Sequence, residues 1–208
     1  MAGETKKRNG IVFAFSAPSG GGKTTLSRLI AQRVSGIRIS VSHTTRPPRG
    51  GETDGVDYHF VSEEEFISLE KSGIFLETAV VHGYRYGTSV HEVMPHIDNG
   101  VDVLLDIDVQ GTNAVRAKME VVSIFIIPPT QKELEKRLFG RKTEKPKDLE
   151  LRLTNARREI DSAVAFDYLV INNNLTEAVT DIGAIIRAER MRVSRNKERL
   201  VTFWENTK

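Results

Sequence analysis

The sequence predicts an α/β fold with a central parallel sheet, and two observations carry this prediction. Four short apolar runs have the character of strands buried on both faces, and they lie at residues 11–16, 101–107, 121–127 and 168–172. Segments with apolar residues at helical spacing separate or follow these runs, at residues 24–34, 110–119 and 175–192. Strands that alternate with helices are typical of parallel sheets with right-handed crossovers.

The bulk composition is that of one globular unit with no general affinity for polyanions. The chain has 208 residues, is 39% hydrophobic and carries 30 Lys and Arg against 28 Asp and Glu. A net charge of +2 gives no argument for nucleic acid or membrane partners, so any basic site must be local. The absence of cysteine excludes disulfides and Cys-ligated zinc and suits a reducing compartment, so we expect a cytoplasmic protein.

The first ten residues are expected to form a disordered tail. They are basic, but no apolar segment of signal-peptide length follows them. No apolar stretch in the chain approaches the roughly 20 residues that a membrane-spanning helix needs. We therefore expect neither a signal peptide nor a membrane anchor.

A phosphate-binding loop is predicted directly after the first strand. Residues 17–24 read Ala-Pro-Ser-Gly-Gly-Gly-Lys-Thr, close to the P-loop pattern of two glycines followed by Lys and Ser or Thr. Small residues let backbone N–H groups point at phosphate oxygens, and the following helix presents its positive end to the same anion. Lys23 is then expected to reach the β- and γ-phosphates, and the Thr24 hydroxyl to ligate Mg²⁺. Ala17 replaces the first glycine, which weakens the motif only if that position needs a positive φ.

An acidic pair follows the second apolar run. Asp106 stands at the carboxyl end of this strand, where a magnesium-coordinating Walker-B residue is expected, and Asp108 follows two residues later on the same face. A carboxylate after a strand is also a common helix cap or turn residue. Because a phosphate loop is predicted in the same chain, the interpretation of Asp106 as a magnesium ligand is favoured.

Two segments interrupt the alternation of strands and helices. Residues 43–88 are rich in Thr, Gly, Arg, Pro, His and Tyr and predict a small, partly β insertion, with short strands at 58–61 and 75–81. A capping-box pattern at Ser62 begins a short helix within it, which ends at Gly73. Residues 137–158 are dense in Arg and Lys, and are either a solvated helical hairpin or a mobile lid.

Several ordered motifs make the sequence resemble the guanylate kinases. They are the residues 40–60 signature around Ser-His-Thr-Thr-Arg-Pro-Pro-Arg, Phe-Leu-Glu at 75–77, Tyr-Arg-Tyr-Gly-Thr at 84–88, Leu-Asp-Ile-Asp-Val-Gln-Gly at 105–111, Ile-Ile-Pro-Pro at 126–129 and Arg-Leu-Phe-Gly-Arg at 137–141. The resemblance covers roughly residues 12–192. It implies transfer of a phosphoryl group from Mg·ATP to GMP or dGMP, with Mg²⁺ as cofactor.

The resemblance also implies which side chains hold GMP. Glu77 matches the carboxylate that reads guanine, because one carboxylate can accept both the N1–H and N2–H donors of that base. Adenine would turn a lone pair towards the same carboxylate and leave a buried charge unpaired. The complete GMP-binding set comprises Ser42, Arg46, Arg49, Tyr58, Glu77, Tyr86, Thr88 and Asp108.

The ATP side follows from the same resemblance. Arg137, Arg141 and Arg152 match lid arginines that close over the ATP phosphates and, with Lys23, form the catalytic set. Thr24 and Asp106 are the expected magnesium ligands. Asn172 matches an adenine-side asparagine, although Asn173 and Asn174 stand where the family usually has acidic residues. The ATP-binding set comprises Ala17, Pro18, Ser19, Gly20, Gly21, Gly22, Lys23, Thr24, Thr25 and Asn172.

These expectations combine into a three-layer P-loop NTPase fold with a mixed α/β GMP-binding insertion and a helical lid. The tail covers residues 1–10, the core 11–42 and 96–208, the insertion 43–95 and the lid 138–156. Two alternatives stay open: a guanylate-kinase-like phosphopeptide-binding module without catalysis, and a kinase with a different phosphorylated acceptor. The sequence does not select between a monomer and a homodimer.

Overall fold

The computed structural model describes residues 8–81, 83–139 and 146–205. Within them the strands are β1 (Val12–Ser16), β2 (Ile37–Ile39), β3 (His43–Thr44), β4 (His59–Phe60), β5 (Phe75–Val81), β6 (Tyr84–Ser89), β7 (Asp102–Asp106), β8 (Val122–Ile127) and β9 (Tyr168–Ile171). The helices are α1 (Lys23–Arg33), α2 (Glu63–Lys71), α3 (Val90–Asp98), α4 (Val109–Arg116), α5 (Gln131–Phe139), α6 (Pro146–Asp161), α7 (Leu175–Met191) and α8 (Lys197–Glu205).

A five-stranded parallel sheet forms the centre of the molecule, with the strand order β2-β7-β1-β8-β9. All four apolar runs singled out in the sequence are strands of this sheet, so the predicted parallel sheet is confirmed. In the register of β1 and β7, Phe15 pairs with Asp106. The loop after β1 and the acidic residue at the end of β7 therefore lie side by side.

Helices cover both faces of this sheet, which gives three layers. Phe13 and Phe15 of β1 belong to a buried cluster that contains side chains of α1 and α7, whereas Val12 and Ala14 belong to a second cluster with side chains of α3 and α4. Alternate side chains of a strand point to opposite faces, so β1 contributes to both cores. Since its backbone is buried in the centre of the sheet, β1 is a rigid support for the loop that follows it.

The sequence did not predict β2, β3, β6, α3 or α8 individually. The strand β2 is only three residues long, and α8 lies beyond the predicted elements. Helix α3 contains Pro95, a residue that normally ends a helix. Here Val93 and Ile97 are buried in the second core cluster, and this burial outweighs the loss of one backbone hydrogen bond.

A second, four-stranded sheet lies between β2 and α3 in the chain, with the order β4-β3-β6-β5. Strands β5 and β6 form an antiparallel hairpin in which Glu77 faces Thr88. Helix α2 begins as predicted, because the Ser62 hydroxyl accepts a hydrogen bond from the Glu65 N–H, and its buried Phe66 stacks on Phe75 at a ring-centroid distance of 4.8 Å. The sheet thereby orients one face of the hairpin towards the phosphate loop.

The basic segment at 137–158, predicted as a hairpin or a lid, includes the end of α5 and most of α6, and these two helices share a small apolar core. Leu134 and Leu138 of α5 pack with Ala156 of α6, and Leu153 and Ile160 complete the cluster. Among the described residues, no helix is both long and apolar enough to cross a membrane.

Candidate functional site: a cavity between the phosphate loop and a buried carboxylate

The loop after β1 has the backbone geometry of an anion site. Gly20 and Gly22 have φ values of 84° and 91°, which residues with a side chain rarely adopt. Gly22 is the N-cap of α1 and provides no side chain to accept the first helical N–H groups. These N–H groups are therefore available to an anionic ligand at the positive end of the helix.

Ala17, at the first glycine position of the motif, fits because Gly21 lies opposite. A Cβ atom added to Gly21 would lie only 2.8 Å from the Ala17 Cβ. The Ala17 methyl group instead packs against the larger core cluster. The departure from the motif is thus accommodated by the missing side chain at Gly21.

Asn172 anchors this loop from the neighbouring end of the sheet. Its Nδ2 donates a 3.0 Å hydrogen bond to the Gly21 carbonyl, and its own backbone N–H donates to the Ile127 carbonyl at 2.7 Å. A Cβ atom on Gly22 would clash with Asn172 Nδ2, so only glycine fits there. The side chain is 6% exposed and does not line the cavity described below.

Lys23 is held at the end of β7. Its Nζ forms a 2.9 Å ion pair with Asp106 and donates to the Ile107 carbonyl at 2.7 Å. The Ser16 hydroxyl also donates to the Ile107 carbonyl, which ties the loop to the sheet. The ammonium group therefore stands at a defined point beside the helix N-terminus, within reach of the Asp106 carboxylate.

Glu77 is a buried carboxylate that lines the same cavity as the loop. It is 5% exposed, and the Thr88 hydroxyl donates to its Oε1 at 2.6 Å. Burial raises the pKa of Glu77, and the nearby Asp108 carboxylate raises it further, against the hydrogen bond from Thr88 and the charge of Lys23. Glu77 therefore keeps an acceptor site whose natural partner is a ligand with N–H donors.

The start of α4 lies against the Glu77 carboxylate. Asp108 is the N-cap of that helix and accepts a 2.7 Å hydrogen bond from the Gly111 N–H, so it serves as a helix cap as well as lining the cavity. A Cβ atom at Gly111 would lie 2.9 Å from Glu77 Oε2. The absence of a side chain at Gly111 gives the carboxylate its room.

Arg46 is oriented by a carboxylate for which the sequence suggested no role. Its guanidinium forms two hydrogen bonds with Glu52, at 2.9 and 3.0 Å, and Nε donates to the Tyr86 hydroxyl at 3.3 Å. The hydrogen bonds that Arg46 donates to Glu52 raise the pKa of Arg46, against the effect of burial. Arg49 is exposed, and its backbone N–H donates to the same Glu52 carboxylate.

The tyrosines of the predicted set meet beside Arg46. The rings of Tyr58 and Tyr86 are 5.9 Å apart at a near-perpendicular angle, and both line the cavity with Ser42. Burial is the main cause that raises the pKa of Tyr58, so its hydroxyl stays a hydrogen-bond donor at neutral pH.

The three predicted lid arginines have different surroundings. Arg137 Nε pairs with Glu133 at 3.0 Å, and its Nη2 donates to the Asn172 carbonyl at 3.0 Å. Arg152 lines the cavity from α6. Arg141 lies outside the described residues.

These side chains surround a cavity of about 650 Å³. Of the predicted residues, its lining contains Ala17, Pro18, Ser19, Gly20, Gly21, Gly22, Lys23, Thr24, Thr25, Ser42, Tyr58, Glu77, Tyr86, Asp106, Asp108 and Arg152, but not Arg46, Arg49, Thr88, Arg137 or Asn172. Asn155 and Glu159 of α6 also line it and were not predicted. Their positions one and two helical turns after Arg152 are the sequence signal that could have found them.

Glu159 is one of four carboxylates that line the cavity, with Glu77, Asp106 and Asp108. Burial raises the pKa of Glu159 and the Asp108 carboxylate raises it further, against the effects of the Ser19 backbone and of the Lys23 charge. Within the described residues, no three His, Cys, Asp or Glu side chains are placed to hold a metal ion. The Asp106 carboxylate and the Thr24 hydroxyl are oxygen donors of the kind that Mg²⁺ prefers. Two protein ligands suit Mg²⁺, because substrate oxygens and water usually complete its coordination shell.

Comparison with known proteins gives a consistent result. A family profile described as Guanylate kinase matches residues 8–189. The guanylate kinase of Syntrophotalea carbinolica is 50% identical over 91% of this chain and 90% of its own length, and that of Neisseria meningitidis serogroup A is 49% identical over 96% and 98%. The crystal structure of guanylate kinase from Anaplasma phagocytophilum is similar with a TM-score of 0.76 at 37% identity, over 91% and 90% of the two chains. This similarity confirms the predicted fold class.

Proposed function

The chain belongs to the guanylate kinase family, and from this premise we propose how its cavity transfers a phosphoryl group from Mg·ATP to GMP or dGMP. The observation that carries the proposal is the pairing of two sites across one cavity. A glycine loop with Lys23 and the buried Glu77 carboxylate both line this cavity. The products are ADP and GDP or dGDP.

The phosphate loop suits the phosphates of ATP. The N–H groups of residues 19–24 and the start of α1 would hold the β- and γ-phosphate oxygens, with Lys23 as a compact positive charge among them. Thr24 and Asp106 would hold Mg²⁺, and the bound ion would neutralise negative charge on the ATP phosphates. Asp106 already pairs with Lys23, so it can orient the lysine as well as the metal.

Glu77 supports guanine as the base of the acceptor. In its ionised form it accepts hydrogen bonds from the guanine N1–H and N2–H, and these donors favour the charged carboxylate that burial disfavours. Thr88 fixes one oxygen of Glu77, and Asp108 stands beside it. Adenine offers an acceptor at its N1 position, so Glu77 would reject AMP by repulsion.

The phosphate of GMP would lie against the two tyrosines. Tyr58, Tyr86 and Ser42 supply hydroxyl donors, and Arg46 is already fixed by Glu52 at the same corner. A guanidinium held in place loses little conformational entropy when it binds a dianion. The exposed Arg49 would fold over the phosphate from outside.

Transfer itself needs positioning and charge neutralisation rather than a strong base. An oxygen of the GMP phosphate attacks the γ-phosphorus, and the bond from that phosphorus to the bridging oxygen of ADP breaks. The attacking oxygen is already anionic. Lys23, Arg137, Arg141 and Arg152 would stabilise the charge on the transferring group.

The proposal also covers the cellular compartment and the binding partners of the protein. ATP and GMP are nucleotides of the cytoplasm, which supports a cytoplasmic enzyme. The partners proposed are these small molecules, and a basic surface for nucleic acid is not supported by a net charge of +2.

A coupled assay of ADP release with GMP, AMP, CMP and UMP tests the proposal on the wild type, Glu77→Gln and Glu64→Gln. Glu64 is an exposed carboxylate of α2 and serves as the matched control. We expect turnover with GMP, and a reduction of about 10- to 150-fold in kcat/KM for Glu77→Gln alone, because one charge-assisted hydrogen bond contributes about 1.5–3 kcal/mol. Folded protein that binds GMP but turns over no nucleotide would favour the phosphopeptide-binding module instead, whereas faster turnover of AMP or UMP would favour a different acceptor.

A further inference from the structure

Two side chains that flank the glycines of the phosphate loop donate to one carbonyl oxygen, that of Ile107. Lys23 Nζ donates to it at 2.7 Å, and the Ser16 hydroxyl donates to it at 3.0 Å. Within the described part of the chain, these two side chains are the donors to this carbonyl. Ile107 is 6% exposed, so a donor lost from its carbonyl is costly to replace.

Lys23 has fewer donors than the acceptors that ATP binding brings to it. An ammonium group has three N–H donors. Two of them are used in this structure, by the Asp106 carboxylate at 2.9 Å and by the Ile107 carbonyl. The contacts with the β- and γ-phosphates proposed above raise the number of acceptors to four. Lys23 must therefore release one of its protein acceptors when ATP binds.

The Ile107 carbonyl is the acceptor that Lys23 releases at the lower cost in free energy. Asp106 is charged, and a hydrogen bond between two charged groups is stronger than one to a neutral carbonyl. When Lys23 leaves, the Ile107 carbonyl keeps the hydrogen bond from the Ser16 hydroxyl. No buried acceptor then loses its last donor, so the movement of Lys23 to the phosphates avoids that penalty.

A second buried hydroxyl competes for the Ser16 proton. Ser16 Oγ and Thr112 Oγ1 lie 2.9 Å apart and either can donate, and Thr112 Oγ1 also lies 2.9 Å from the Asp108 carbonyl oxygen. Both side chains are fully buried, and each hydroxyl has one proton. Two protons thus serve three contacts. The Ser16 proton is therefore divided between the Ile107 carbonyl and Thr112.

We propose that Ser16 is a reserve donor, a hydroxyl that satisfies the Ile107 carbonyl when Lys23 moves to the ATP phosphates. Ser16 is a positioning residue, because it acts on the nucleotide through Lys23. Thr112 opposes it by drawing the Ser16 proton away from the carbonyl. This inference deepens the proposed function and rests on it in taking ATP as the ligand of the phosphate loop.

Calorimetric titration of Mg·ATP and, separately, of GMP into the wild type and Ser16→Ala tests the reserve donor. We expect Ser16→Ala to bind ATP about 5- to 150-fold more weakly. Either the Ile107 carbonyl loses its last donor when ATP binds, or Lys23 stays on this carbonyl and a phosphate oxygen loses a donor. The dissociation constant for GMP should stay at that of the wild type.

Two further variants in the same titrations separate this role from a general effect on the core. Thr112→Val removes the competing hydroxyl, so the Ser16 proton stays on the Ile107 carbonyl. ATP should then bind as in the wild type or up to about twofold more tightly, which is the gain for an equally divided proton. Ser27→Ala is the matched control, because it removes another buried hydroxyl, which donates to the Lys23 carbonyl within α1, and it should bind ATP as the wild type does.

Several outcomes would overturn the reserve donor. Ser16→Ala that binds ATP as tightly as the wild type would do so, and so would an equal loss of GMP affinity in this variant, which indicates a structural role. Weaker ATP binding by Thr112→Val would overturn it as well, and this result stands even if Ser16→Ala does not fold. A wild type that does not bind ATP would overturn the proposed function together with this inference, whereas the outcomes above leave the proposed function intact.

Discussion

The substitution Gly111→Ala tests whether the backbone of α4 controls recognition of the base. Gly111 lies in the first turn of this helix, directly behind the Glu77 carboxylate. The added methyl carbon would lie 2.9 Å from Glu77 Oε2 and 3.3 Å from Asp108 Oδ1. The substitution therefore acts on Glu77 without changing any group proposed to touch a nucleotide.

The magnitude follows from the distance and from the hydrogen bonds at stake. A contact of 2.9 Å is about 0.6 Å shorter than the ~3.5 Å optimum for nonbonded atoms, so the carboxylate must retreat. Losing one charge-assisted hydrogen bond to guanine costs about 1.5–3 kcal/mol, which corresponds to a KM for GMP about 10- to 150-fold higher. Alanine is favoured over glycine within a helix by about 0.5–1 kcal/mol, so the variant is expected to fold.

Steady-state kinetics with GMP and ATP varied in turn provide the assay. We expect the KM for GMP to rise while the KM for ATP stays within about twofold of the wild type. Asn113→Ala, at an exposed position of the same helix, is the matched control and should change neither value. An unchanged KM for GMP in Gly111→Ala would refute the prediction that Gly111 leaves the space that the Glu77 carboxylate needs. An equal rise in the KM values for GMP and ATP would refute it as well.

Two further substitutions test the anchor of the loop and the buried carboxylate. Asn172→Ala should destabilise the protein by about 1–3 kcal/mol, because the buried Gly21 carbonyl loses its donor, and should raise the KM for ATP. Urea denaturation measures the loss of stability, with the exposed Asn173→Ala as the control. A stability equal to that of the wild type would contradict the prediction. Because burial raises the pKa of Glu77 in the folded state, the stability it contributes decreases as pH rises from its ordinary value of 4.5 towards the raised value. Glu77→Gln should therefore be more stable than the wild type at about pH 7, and this difference should be lost at about pH 4. Denaturation series at both pH values measure it. A difference in stability that does not change with pH would show that ionisation of Glu77 is not its cause.

Much of the fold could be predicted because local pattern and tertiary environment agree there. The buried strands of the central sheet are continuous apolar runs, and α1 and α7 carry apolar residues at helical spacing. The prediction failed where the two disagree. Pro95 indicates a break, yet packing of Val93 and Ile97 keeps α3 helical, and three residues are too few for the period of β2 to be recognised.

The candidate site shows the same division. The spacing of Gly22, Lys23 and Thr24 predicts a phosphate loop, and the ordered motifs predict the family, because backbone conformation and short-range geometry depend on residues adjacent in the chain. By contrast, the space for the Glu77 carboxylate depends on Gly111. The phosphate loop is anchored at Gly21 by Asn172, which lies 151 residues further along the chain.

What the sequence by itself determined is the class of fold, the phosphate loop and the resemblance to guanylate kinases. Only the tertiary structure decided that Glu52 orients Arg46, that Arg137 donates to the Asn172 carbonyl, and that Glu159 lines the same cavity as the phosphate loop. The physical reason is distance: hydrogen bonds, burial and charge interactions act over a few ångströms in space. The chain brings those groups together only when its sheets and helices have packed.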